Sequence, residues 1–111
     1  MQKELVFFET KTGKVPLQRW LKKLRDDKAS MRIQKRLRNM ERGLYGDHKA
    51  LQQGIYELRI DEGPGYRVYF AERQNARVVL LLTAGSKRTQ KRDIQKAIEY
   101  LHDYETRYED D

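Results

Sequence analysis

Two arginines and a lysine stand at spacings that let fixed cations from separate elements meet on one surface. The run YELRIDEGPGYRVYF carries Arg59 and Arg67 on either side of a Gly-Pro-Gly turn, and Lys87, Arg88, Lys91 and Arg92 crowd the exit of the next apolar run, RVVLLLTAGS. Guanidinium forks bind phosphate bidentately, so two of them around one phosphodiester would hold it and stabilise charge developing in a five-coordinate transition state. A lysine at a strand exit adds charge or serves as a base. This is an anion site, and the anion it suits is RNA.

The elements that must position these cations follow from hydrophobic periodicity. Tyr56, Leu58 and Ile60 alternate with Glu57, Arg59 and Asp61, and Tyr66, Val68 and Phe70 alternate with Arg67, Tyr69 and Ala71. Each segment reads as a strand with one apolar face and one arginine-bearing face. Gly63-Pro64-Gly65 supplies the turn between them, and Gln74-Asn75 does the same before Val78 to Leu82, which is apolar on both faces and belongs inside the sheet. If the hairpin register keeps the alternation in phase, Arg59 and Arg67 share a face, and the chain leaving Leu82 carries Lys87 toward the same edge.

Upstream, Leu5 to Phe8 reads as a first strand. Leu17, Trp20, Leu21 and Leu24 follow Pro16 at helical spacing, giving a helix of about three turns ending near Asp26-Asp27. Ala29, Ile33, Leu37, Met40 and Leu44 mark a second helix, strongly basic elsewhere, closed by Gly43 and Gly46. A last helix starts at about Thr89, a plausible N-cap, and buries Ile94, Ala97, Ile98 and Leu101. The expected fold is α+β, in the order β-α-α-β-β-β-α, as one domain over residues 1–111.

Composition narrows the classes. A net charge of +7 favours a polyanionic partner. Cysteine is absent, which removes disulfides, thiol catalysis and cysteinyl metal sites, and His48 and His102 lie far apart without ligand spacing, so neither metal nor cofactor is expected. No apolar run approaches the roughly 18 residues of a membrane span, and the start of the chain lacks the apolar stretch of a signal peptide, so the expected location is the cytoplasm.

Each further residue has a plain structural alternative. Gly85 to Gln90 is a glycine before a helix start, where backbone amides attract anions but where an ordinary turn serves as well. Arg88, Gln90, Lys91 and Arg92 are assigned to RNA contact. Asp93, in the first turn of the last helix, is expected to orient Lys87 or Arg59 or to complement the dipole. Tyr69 is placed to stack on a base, Tyr66 in the core, and Trp20 in packing. The second helix, with Arg36 among its cations, repels itself along its own length and calls for nucleic acid or an acidic protein segment. His48 reads as a surface histidine, and the acidic cluster Glu105, Glu109, Asp110 and Asp111 as a solvated tail that frays at its end.

Glu57-Leu58-Arg59, Gly65-Tyr66-Arg67-Val68-Tyr69-Phe70 and Leu80-Leu81-Leu82 through Gly85-Ser86-Lys87, followed by Gln90, Asp93, Ile94 and Ala97, resemble the RelE/ParE toxin superfamily. Within it the chain is most similar to the HigB-like, phage-derived Gp49-like group of addiction module killer proteins. The resemblance implies a RelE-like fold, a mainly antiparallel sheet with two N-terminal helices and a C-terminal helix. It also implies a type II toxin that cuts mRNA in the ribosomal A site without a metal, by helping the ribose 2′-OH attack the adjacent phosphate. The implied partners are the ribosome, mRNA and a cognate helix-turn-helix (HigA/Xre-like) antitoxin, with operator DNA reached only through the antitoxin. Carried onto this chain, the catalytic set is Arg59, Arg67, Lys87 and Asp93, with Arg67 and Arg59 on the scissile phosphate and Lys87, or Arg88 as the alternative for that basic position, assisting proton transfer or the leaving oxygen. The tyrosine and second lysine of RelE itself correspond here to Ile94 and Glu57, which leaves Glu57, Lys87, Asp93 and Tyr69 as alternatives for the general base. A ParE-like gyrase inhibitor and a non-catalytic RNA-binding member are the competing expectations.

Overall fold

A computed structural model describes residues 2–109. Strand β1 (Glu4–Phe7) is followed by helices α1 (Pro16–Lys23) and α2 (Asp27–Glu41), then by β2 (His48–Ala50), β3 (Tyr56–Ile60), β4 (Tyr66–Arg73) and β5 (Val78–Ser86). A single 3-10 turn, Lys87–Thr89, leads into α3 (Gln90–Tyr108). The five strands form one sheet in the order β1-β5-β4-β3-β2, with β1 parallel to β5 and every other neighbouring pair antiparallel. The architecture is α+β and compatible with a RelE-like fold.

The sheet is apolar on both sides, so it needs a helical layer on each. Leu58, Ile60, Val68, Phe70 and Leu81 pack with Leu17, Ile33, Leu37 and Met40 of α1 and α2. On the opposite face Tyr69, Ala71, Leu80 and Leu82 pack with Ala97 and Leu101 of α3. β5 lies between β1 and β4 and is buried along nearly all its length, as its two-sided apolar pattern requires.

The register shifts between Tyr69 and Phe70, where an extra β5 residue at Leu82 makes a bulge. Arg67 consequently pairs with Gly85. A Cβ on Gly85 would lie 2.7 Å from Cγ of Asp93 and 2.8 Å from Oγ1 of Thr89. Only a residue without a side chain lets the start of α3 settle this closely on the strand exit.

Four local expectations are corrected. α1 has eight residues, about two turns, because Leu24 turns extended while its N–H closes on the Trp20 and Leu21 carbonyls. Asp26 does not end α1 but caps α2, accepting from the Ala29 amide at 3.0 Å. Leu44 lies beyond α2 and is 54% exposed. The short β2, fully exposed and without alternation, was absent from the expected order and pairs along the outer edge of β3.

The acidic tail is also corrected. Glu105 lies 3.3 Å from Nη2 of Arg73, and Glu109 accepts from both Nε and Nη2 of the same guanidinium. This contact, chiefly the hydrogen bond to Glu109, raises the pKa of Arg73 and ties the end of α3 to β4. Asp110 and Asp111 lie outside the described residues.

Candidate active site

Arg59 and Arg67 are direct partners across the β3–β4 ladder, on the sheet face that α3 covers farther along. Like charges directly opposite one another are unfavourable in an isolated hairpin. Here Glu57, on the same face and 2% exposed, lies between them, with Oε1 3.9 Å from Nε of Arg59 and Oε2 3.4 Å from Nε of Arg67. Gln90, at the first position of α3, donates from Nε2 to Glu57 Oε2 at 2.6 Å. Helix α3 therefore fixes the carboxylate, and the carboxylate fixes the arginine pair.

The closest carboxylate contact of each arginine runs to Nε, and neither Nε reaches hydrogen-bonding geometry. Such contacts hold a guanidinium by Coulomb attraction and leave the hydrogen-bonding capacity of its Nε unused. The Arg67 side chain is 13% exposed and the Arg59 side chain 38%, so the first is a fixed charge and the second can move to meet a ligand. Asp47 lies 3.5 Å from Arg59 and is itself exposed.

Lys87 completes the cluster. Its backbone N–H donates to the Gly65 carbonyl at 2.8 Å, which fastens the exit of β5 to the end of the β3–β4 turn. Arg59, Arg67, Lys87, Asp47, Asp61 and Gly65 line an open depression of about 320 Å³, the size of a nucleotide-scale subsite rather than a deep chamber. The convergence expected from the alternation of β3 and β4 is thus present in the fold.

Other expected site residues lie elsewhere. Asp93 is 7% exposed, accepts a 2.5 Å hydrogen bond from Thr89 and lies 3.9 Å from Arg92. Its partners are these two residues, not Lys87 or Arg59. Thr89 stands at the N-cap of α3 but turns its hydroxyl to Asp93 and to the Ser86 carbonyl instead of capping. Gln90 is engaged by Glu57, whereas Arg88, Lys91 and Arg92 are exposed around the start of α3.

Two residues expected to touch RNA are structural. Tyr69 pairs with Glu57 across the ladder and is fully buried beneath α3, so it offers no ring face to a base. Burial, reinforced by the Glu57 and Asp93 charges against a smaller opposing effect of Arg67, pushes its hydroxyl well above the usual tyrosine range. Arg36 is turned inward, donating to the Arg59 carbonyl at 2.7 Å, the Tyr45 carbonyl at 2.8 Å and the Asp47 carbonyl at 3.1 Å. Burial lowers its pKa while Asp47 opposes the shift. Those bonds anchor the Tyr45–Asp47 loop to β3 and leave Arg36 no free fork.

Sequence reasoning missed Asp47, which sits in an irregular loop with no periodicity to mark it. His48, read as a surface histidine, is exposed, with Nδ1 2.8 Å from the Gly46 carbonyl. Among the described residues no group of His, Cys, Asp and Glu is arranged to hold a metal ion, and no helix is long and apolar enough to cross a membrane.

A family model described as phage-derived protein Gp49-like matches residues 19–102, from the middle of α1 to the second half of α3. The chain belongs to this family. Gp49-like proteins fall in the addiction module killer, RelE-like toxin group, and the match spans every cation of the depression. Membership in this group suggests a toxin of a toxin–antitoxin pair, and a toxin family of this kind implies a cognate antitoxin. An uncharacterised protein of Haemophilus influenzae is 47% identical over 78 residues, 70% of this chain and 78% of that protein.

Proposed function

We propose that this Gp49-like toxin is a ribosome-dependent, metal-independent mRNA endonuclease, acting in the cytoplasm as a single domain and silenced by a helix-turn-helix antitoxin. The observation that carries the reading is the cross-strand pair Arg59–Arg67, oriented by Glu57 and joined by Lys87 at one open depression. In the reaction the ribose 2′-oxygen attacks the adjacent phosphorus, the bond to the 5′-oxygen breaks, and the products are a 2′,3′-cyclic phosphate and a 5′-hydroxyl end. The attacking hydroxyl gives up one proton and the leaving oxygen gains one.

Arg67, the more enclosed cation, holds the non-bridging oxygens and offsets the second negative charge of the five-coordinate transition state. Arg59 shares that task, and Lys87 neutralises or protonates the leaving oxygen. Glu57 acts as a positioning residue through the arginines, and Asp93 by setting the start of α3 against Gly85. A surface whose only task was to bind gyrase would have no need for a buried carboxylate that aligns two guanidinium groups.

The test is brief induction in cells with new mRNA 5′ ends mapped by primer extension, beside Arg67→Lys and Lys87→Ala variants and a gyrase supercoiling assay. Cuts inside translated regions, reduced about 100-fold in Arg67→Lys, are expected. Intact message with inhibited gyrase would overturn the nuclease in favour of the ParE-like activity, and undiminished cutting by folded Arg67→Lys would remove that residue from its role.

A further inference from the structure

Among the described residues, exposed cations with no carboxylate within 4.0 Å flank α1 and the start of α3, at Lys14, Arg19, Lys23, Arg25, Arg88 and Lys91, and stand on α2 at Lys35 and Arg38. Lys28 and Arg32 of α2 both pair with Glu62, at 3.6 and 3.4 Å, and Arg36 is bonded to backbone carbonyls. Among the described residues, no carboxylate oxygen comes within 4.0 Å of a charged nitrogen of Lys14, Arg19, Lys23 or Arg25. All four are exposed.

These cations surround Trp20, whose half-buried ring borders two adjoining depressions. One, of about 450 Å³, is flanked by Lys23, Arg25 and Arg92; the other, of about 290 Å³, by Lys14, Arg19 and Lys23. Trp20 meets Tyr66 edge-on, with ring centroids 5.7 Å apart and planes at 69°. The groove opens because β1 accompanies β5 only as far as Leu81, leaving the edge of β5 from Thr83 to Ser86 without a strand beside it. Among the described residues, the one acidic side chain lining it, Asp93, is buried and already bonded to Thr89.

The groove also adjoins the catalytic depression. Tyr66 and Ser86 are paired and line the groove, while Arg67, the residue after Tyr66 in β4, and Lys87, the residue after the end of β5, line the depression. The two recesses therefore meet at the end of β5, where Ser86 borders the groove and Lys87 the depression. Aromatic faces flanked by Lys and Arg hold single-stranded nucleic acid by base stacking and phosphate contact.

We infer that the α1–α3 groove binds single-stranded RNA flanking the scissile phosphate, with phosphates against Lys23, Arg25 and Arg92 and a base against Trp20. The inference rests on the reading of Arg59 and Arg67 as the phosphate site. An acidic peptide would match the charge alone; the aromatic ring and the continuity with the depression favour RNA.

The experiment titrates the full chain with a short fluorescein-labelled single-stranded RNA carrying 2′-O-methyl riboses, which cannot be cut through the 2′-oxygen. Trp20 is the only tryptophan, so its emission reports on the groove directly. Its emission should be quenched in step with the rise in anisotropy. Lys23→Glu/Arg25→Glu should weaken binding at least about tenfold and lower the slope of log K against log salt by about 1.4, while Lys35→Glu/Arg38→Glu on exposed α2 positions should change it far less. RNA binding with Trp20 emission unchanged and the Lys23/Arg25 variant binding like the parent would overturn the inference. So would quenching by polyglutamate and not by RNA, which would assign the groove to an acidic protein segment. RNA binding with quenching but no message cleavage in cells would support the groove and sink the nuclease; cleavage undiminished in Lys23→Glu/Arg25→Glu would do the reverse.

Discussion

Oε2 of Glu57 lies 3.4 Å from Nε of Arg67 in a sheet position where the carboxylate is 2% exposed. The charge of Arg67 thus serves the protein before it serves a ligand. A buried ion keeps its charge only when an opposite charge and a hydrogen-bond donor accompany it, and Arg67 with Gln90 supplies both.

Arg67→Ala should therefore cost stability as well as activity. It leaves Glu57 with Arg59 at 3.9 Å and the Gln90 amide, a loss of about 3 kcal/mol. Glu57→Gln/Arg67→Ala should recover about 1 kcal/mol or more of that deficit. Urea unfolding of the parent, both single variants and the double variant measures the coupling, and strict additivity would show that the pair does not interact.

Gly85→Ala places a methyl group against Asp93 and Thr89 at contact distances that real side chains do not adopt. The start of α3 must move, and the Gln90–Glu57 bond moves with it. The expected loss is about 1–3 kcal/mol, a fall in Tm of at least about 4 °C, with reduced message cleavage. Combining it with Asp93→Ala, which removes the colliding carboxylate, should restore part of the Tm; no restoration would mean that the clash lies elsewhere.

Arg36→Ala should lower stability by about 2–4 kcal/mol, because three backbone carbonyls lose a charged donor at once. Lysine has no fork to reach them together, so Arg36→Lys should recover little. RNA affinity at matched folded fraction should barely change. A large loss of affinity in a folded Arg36 variant would return this residue to the RNA surface.

Alkaline pH should destabilise the fold. Burial raises the hydroxyl pKa of Tyr45, Tyr66, Tyr69 and Tyr104 above the ordinary 10.0, reinforced at Tyr45 by the 2.6 Å hydrogen bond it donates to Glu72. Above about pH 10 the unfolded chain releases protons that the folded chain keeps, so stability declines as pH rises, by up to about 1.4 kcal/mol per pH unit for each tyrosine. Urea midpoints measured from about pH 9 to pH 11 should fall, less steeply in Tyr69→Phe. At neutral pH that variant should match or exceed the parent in stability and keep its activity, since it deletes a buried hydroxyl with no hydrogen-bond partner. Loss of cleavage in Tyr69→Phe would instead give the hydroxyl a chemical part.

What the sequence determined by itself was whatever depends on period and on local backbone chemistry. Alternation in β3 and β4 assigned Arg59 and Arg67 to one face, the two-sided apolar run assigned β5 to the interior, and Gly63-Pro64-Gly65 marked the turn that sets their register. Those rules act between residues a few positions apart, which is why they can be read from a single chain. Helix ends were less legible: the Leu17-to-Leu24 spacing ran past the true end of α1, since Asp26 competes for the chain as the cap of α2.

Only the tertiary structure decided what each polar side chain does. Tyr69 and Arg67 alternate in sequence as outward positions of one strand, yet α3 lands on the first and stops short of the second, making one core and the other site. Arg36 and Lys23 look alike as helix cations, but carbonyls from a loop and from β3 capture Arg36 while among the described residues no carboxylate comes within 4.0 Å of Lys23. Glu57 becomes the organiser of the arginine pair because Gln90, 33 residues away, arrives over it when α3 packs against Gly85. Burial and ion pairing are set by segments distant in sequence, so composition and spacing name the charged residues but do not say which of them stay free to meet a partner.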